Sequence, residues 1–194
     1  KKKTEISEAP FTQTTGSAAN TPAPTSTSNA IGDEEKKQVR SRSRDAVTNV
    51  IARDYNDLIQ KKGIPNLARD PMFQKAIGQI FSIGRGQANK GKIVTVGDVD
   101  DVARSIRQTK TGIGPIRTGK QDVGLIKKVL GRLPSGEPFA GLEDMVNTPE
   151  DAMKFMKIRD LTLDILNTIS TERKLRGLAD LPNAFDDFER SVTG

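Results

Sequence analysis

The sequence predicts a mainly α-helical protein, a small irregular bundle of about six short helices that follows an extended N-terminal arm. Two observations support this fold class. Apolar residues recur at spacings of three and four residues in several windows after residue 32, which is the period of an amphipathic helix. Two of these windows open with helix-start signals, Asp70-Pro71 and Thr148-Pro149.

The N-terminal arm is predicted to span residues 1–31. It is rich in Thr, Ser, Ala, Asn and Pro and contains few large apolar side chains, Phe11 among them. Such a segment buries too little apolar surface to offset about 1–2 kcal/mol of backbone entropy per residue. We therefore expect it to gain order from other molecules, with Phe11 as a partner-binding residue. Because the sequence begins with Lys1 and not Met, we expect a processed product or a fragment.

The helical domain is predicted to span residues 32–194. Its first helix begins at Asp33 and ends before Gly63 and Pro65, and its second begins at Asp70-Pro71 and ends at Gly84-Arg85-Gly86. The β-branched run 92–96 indicates one short strand or an extended lead-in. Thr95 and Asp98 are spaced like a capping box for the third helix, and a loop is expected over 108–120.

The last three helices complete the predicted bundle. The fourth helix covers 122–130 and is followed by a loop over 131–141. The fifth helix follows Thr148-Pro149 and is apolar on several faces, so we place it at the centre of the bundle. The sixth carries a narrow stripe that contains Phe185 and Phe188, and this stripe either docks on the protein's own core or binds a partner.

Composition excludes several kinds of chemistry. The chain contains no Cys and no His, which rules out disulfides, thiolate or imidazole metal sites and imidazole-based catalytic triads. Residues 86–93 and 114–121 match G-x-x-x-x-G-K, but Ile93 and Gln121 stand where a P-loop requires Ser or Thr. Paired carboxylates at 98–101, 143–144, 150–151 and 186–187 lie near predicted helix starts, where acid offsets the helix dipole. We expect no enzyme activity, no cofactor and no metal.

Charge is distributed unevenly along the chain. Residues 83–132 hold 11 basic and 4 acidic side chains, whereas residues 133–194 hold 7 basic and 12 acidic ones, which also marks a possible subdivision of the domain. The basic region either binds a polyanion such as nucleic acid or pairs with the acidic end of a neighbouring copy, and a merely solvated surface is the third alternative. The residues predicted to bind a polyanion are Arg85, Lys90, Lys92, Lys110, Arg117 and Lys120.

The arm, the short capped helices and the absence of Cys, His and Trp resemble minor structural or internal virion proteins of tailed bacteriophages. This resemblance implies a non-enzymatic structural subunit of a large assembly, in the virion or the host cytoplasm, with several protein copies as partners. The alternative is a nucleic-acid-associated protein without sequence specificity that uses the basic region 85–132. No segment is apolar and long enough to be predicted to span a membrane.

Overall fold

Six α-helices dominate the computed structural model, which describes residues 32–62, 66–91, 94–113 and 123–193. They are α1 (Asp33–Lys62), α2 (Pro71–Asn89), α3 (Val96–Ile113), α4 (Val123–Gly131), α5 (Pro149–Leu175) and α6 (Ala184–Thr193), with 3₁₀ turns at Leu67–Arg69 and Glu143–Met145. These ranges contain no β-strand, so the mainly α fold class is confirmed. None of the described helices is sufficiently long and apolar to cross a bilayer.

Helix α5 is the centre of the bundle, as predicted. Its buried side chains cover more than half of its circumference, and it packs against α1, α2, α3, α4 and α6. Thr148 caps its start through a reciprocal capping box with Asp151, and Pro149 occupies the first turn. Because each of the other five helices packs against α5, the core is centred on this helix.

Helix α2 is longer than the sequence predicts. Asp70 caps its start by accepting hydrogen bonds from the backbone N–H groups of Met72 and Phe73, as expected. The helix then continues through Gly84 and Gly86 to Asn89, so the predicted break at 84–86 is wrong. Gly84 is buried beside α6, and a Cβ atom at this position would lie 2.8 Å from Cδ2 of Phe185. The glycine therefore permits close helix packing and does not end the helix.

Helix α3 also extends beyond its predicted end. It runs to Ile113, whereas the sequence predicts a loop from residue 108. Its start agrees with the prediction, since Asp98 accepts a hydrogen bond from the backbone N–H of Thr95. Of the predicted run 92–96, Val94 and Thr95 belong to neither a helix nor a strand, Val96 begins α3, and residues 92–93 lie outside the described residues. Val94 accepts a hydrogen bond from the N–H of Ala184, which ties this segment to the start of α6.

Candidate functional site

The two aromatic residues predicted to bind a partner on α6 lie in the protein's own core. Phe188 is fully buried with its ring centroid 5.4 Å from that of Phe81, and Phe185 is buried against Gly84. Docking on the core is therefore the alternative that the structure shows, and a partner cannot contact these rings in this state. The reason is that α6 is short and strongly amphipathic, so burying its apolar stripe stabilises it. Phe11, the third predicted contact, lies outside the described residues.

Two of the six predicted polyanion-binding side chains are described. Arg85 forms an ion pair with Glu189 at 3.0 Å, and its guanidinium lies 5.9 Å from the centroid of the Phe81 ring. Lys90 is exposed and forms the C-cap of α2. The side chains of Lys92, Lys110, Arg117 and Lys120 lie outside the described residues, so polyanion binding by the set stays a prediction.

The P-loop-like run at 86–93 begins inside a helix. Gly86 to Asn89 form the last turn of α2, whereas a P-loop connects a strand to the start of a helix. The second such run, 114–121, lies outside the described residues. No group of three acidic side chains in the described ranges is placed to hold a metal ion.

Two of the predicted capping carboxylates act as expected. Asp98 accepts from Thr95, and Asp151 accepts hydrogen bonds from the backbone N–H groups of Asn147 and Thr148 at 3.1 and 3.0 Å. The hydrogen bond from Asn147, followed by those from Thr148, holds the pKa of Asp151 below its ordinary value. These carboxylates therefore stabilise helix starts.

A buried ion pair between α5 and α6 is absent from the sequence-based expectations. Nη1 of Arg173 lies 2.5 Å from Oδ2 of Asp187, and both side chains are fully buried. Nη2 of Arg173 also donates hydrogen bonds to the carbonyl oxygens of Leu178 and Leu181, at 2.9 and 2.8 Å. One guanidinium thus fixes the turn between the two helices as well as the first turn of α6.

The sequence contained a signal for this pair. Asp187 lies on the apolar stripe of α6, between Ala184 and Ser191, and Arg173 continues the buried face of α5 below Ile169. Charges at buried positions of two neighbouring helices point to a pair. The expectation that Asp186 and Asp187 only offset the helix dipole did not include this pair.

Arg44 on α1 extends this charge cluster toward the surface. Its Nη2 lies 3.7 Å from Oδ2 of Asp186, and its Nε lies 4.0 Å from Oδ1 of Asp187. Both nitrogens are buried, and neither forms a hydrogen bond with the described residues. Burial raises the pKa of Asp187, while Arg173, Arg44 and Arg190 oppose that rise.

A basic cleft opens beside Arg44, between the first half of α1 and the segment around α6. It encloses about 720 Å³. Five cationic and two acidic side chains line it, which gives the lining a formal charge of +3. The cationic residues of this basic cleft are Lys36, Lys37, Arg40, Arg44 and Arg190, and the acidic ones are Asp33 and Asp45.

Sequence reasoning missed the basic cleft because its walls are far apart in the chain. The α1 wall comes from residues 33–45, and the other wall comes from Leu181, Pro182 and Arg190. The available signal was the helical spacing of Lys36, Arg40 and Arg44, which places three cations on one face of α1.

Comparison with known proteins gives no relatives: no family model, curated protein or solved structure matches this chain.

Proposed function

We propose that this chain is a non-enzymatic interaction subunit of a larger assembly. Its contact region is the N-terminal arm together with the outer face of the first three turns of α1, which we define as Glu35, Gln38, Val39 and Arg42. The assembly that best accommodates such a subunit is a virion-like particle, because the chain resembles minor virion proteins in composition.

The exposure of the start of α1 is the observation that supports this proposal. Every residue from Gly32 to Arg42 is exposed, although Asp33 to Arg42 are helical. The helix begins to bury side chains only further along, with Val47, Ile51 and Tyr55. Most helices in proteins are stabilised by packing an apolar face against other elements. The first three turns of α1 lack such packing, which leaves a helical surface on which another molecule can pack.

Val39 gives the outer face an apolar contact. Its side chain is 56% exposed, in a stretch whose other residues are polar or charged. In the proposed contact, Val39 would supply the apolar centre and its polar and charged neighbours the rim. The arm is joined directly to this helix, and an extended segment can cover a large partner surface when it orders on binding.

The test is sedimentation of the full chain in extracts of the cells that naturally produce it. We expect the unmodified chain to sediment with a large particle and Val39→Asp to shift toward the monomer. Met153→Asp is the matched control, because Met153 is a similarly exposed apolar residue, on α5. Removal of residues 1–31 should release the chain as well. An unmodified chain that sediments as a free monomer, or a Val39→Asp chain that remains in the particle, contradicts the proposal.

A further inference from the structure

We propose that the basic cleft binds the phosphate backbone of a nucleic acid without reading its sequence. This activity goes beyond the proposed assembly role, and the basic cleft lies on the opposite face of α1 from Val39. It also differs in location from the basic region 85–132, since the cleft is formed by α1 and the α6 segment.

The geometry of the basic cleft suits an extended chain of negative charges. Lys36, Arg40 and Arg44 follow each other at intervals of one helical turn, and four residues rise about 6 Å along a helix axis. Lys37 lies beside this row, and Arg190 reaches the cleft from α6. A linear polyanion along α1 therefore meets cations from two separate elements.

Two of these cations are free to bind a ligand from outside. Lys37 and Arg40 are exposed and form no ion pair with the described residues. Lys36 has only a weak pair with Asp33, at 3.9 Å, and the Lys36 side chain is 53% exposed. Because exposed pairs of this length contribute little, phosphate groups compete easily with Asp33.

Arg44 contributes from the floor of the cleft. Its side chain is one quarter exposed, and its contacts with Asp186 and Asp187 are longer than hydrogen bonds. Asp186 and Asp187 thus hold the guanidinium at the floor of the cleft, where it contributes positive charge. Arginine binds phosphate through two parallel N–H groups, and three of the five cations in the cleft are arginines.

The remaining lining favours a phosphate backbone over an acidic peptide. Leu181 and Pro182 are the only apolar residues that line the described cleft, and no aromatic residue lines it. Protein partners usually bury apolar or aromatic side chains at the centre of an interface, and this cleft offers little surface for them. The lack of aromatic rings likewise argues against base stacking, which leaves backbone contacts as the mode of binding.

The experiment measures binding of the full chain to a fluorescein-labelled DNA duplex of about 20 base pairs by fluorescence anisotropy, from about 50 to 200 mM salt. The cleft variant is Lys37→Gln/Arg40→Gln. The control variant is Arg53→Gln/Lys61→Gln, which removes the same charge from the second half of α1, where both residues are exposed and lie outside the cleft. Circular dichroism verifies that both variants keep the helical content of the unmodified chain.

We expect the cleft variant to lose at least about tenfold in affinity at the lowest salt and to reduce the slope of log K against log salt by about 2, one for each lost phosphate contact. The control should stay within about threefold of the unmodified chain. Equal weakening by both variants, or no binding by the unmodified chain, overturns the proposal. A labelled polyglutamate of equal charge that binds as tightly as DNA, and is weakened equally by the cleft variant, overturns the assignment to phosphate.

Discussion

Replacing Gly84 by Ala tests the close packing of α2 against α6. A Cβ atom there would lie 2.8, 3.0 and 3.1 Å from Cδ2, Cγ and Cβ of Phe185, and two of these atoms cannot move without shifting the whole side chain. Overpacking of this kind costs about 1–3 kcal/mol. Alanine also gains about 0.5–1 kcal/mol over glycine within a helix. Gly84→Ala should therefore lower the free energy of unfolding by about 0–2.5 kcal/mol.

The same helix provides matched controls. Gly78 and Gly86 are also helical, and a Cβ atom at either position meets nothing within 4 Å. Gly78→Ala and Gly86→Ala should each raise the free energy of unfolding by about 0.5–1 kcal/mol.

Urea denaturation followed by circular dichroism measures the difference between these variants, provided that the m-values agree. The difference between Gly84→Ala and the controls should be about 1–3 kcal/mol, and it should shrink when Phe185 is also truncated to Ala. If Gly84→Ala stabilises the chain as much as Gly78→Ala does, the contact between Gly84 and Phe185 is wrong.

Three further substitutions concern charged side chains. Arg173→Met leaves Asp187 buried without its partner and should cost about 3–5 kcal/mol in urea denaturation. Arg159→Met should cost less than about 1 kcal/mol or stabilise the protein. Nε and Nη1 of the buried Arg159 make no hydrogen bond with the described residues, and Nη2 pairs at 2.7 Å with Asp160, whose side chain is 42% exposed and stays solvated when the pair is lost. Equal losses in the two variants would contradict this prediction. Asp151→Asn should cost about 1 kcal/mol at neutral pH through the weakened capping box. The fold lowers the pKa of Asp151 below its ordinary value of 3.8. The stability that its carboxylate contributes is therefore present above pH 3.8 and is lost as the pH falls through the folded pKa. The urea midpoints of Asp151→Asn and of the unmodified chain should converge in acid.

Helix starts were predictable because capping is local. The side chains of Asp70 and Thr148 bind backbone N–H groups two or three residues along the chain, and each is followed by Pro, which is preorganised for a first turn. The central position of α5 was predictable for a similar reason, since a helix that is apolar on several faces must be surrounded. Both predictions follow from the sequence of one helix and its flanks, and they do not depend on which helices pack together.

Helix ends and the charged sites were not predictable from local signals. Gly84 is unfavourable in an isolated helix, and only the approach of Phe185 from about 100 residues away explains its place in α2. The partners Arg173 and Asp187 belong to different helices, and the walls of the basic cleft are separated by most of the domain. Tertiary packing decides such features, and a single sequence gives only their periodicity.

Arg44 links the interior of the protein to the basic cleft, and this link explains which cations can bind a ligand. Among the described residues, only Arg173 contacts the Asp187 carboxylate with a charged side chain at hydrogen-bond distance, and Arg44 adds a second positive charge 4.0 Å away. Moving Arg44 toward a ligand would therefore remove part of the compensation for a fully buried carboxylate. Because that cost falls on Arg44 and not on its exposed neighbours, Lys37 and Arg40 should contribute most of the binding, with Arg44 as a fixed positive charge at the floor.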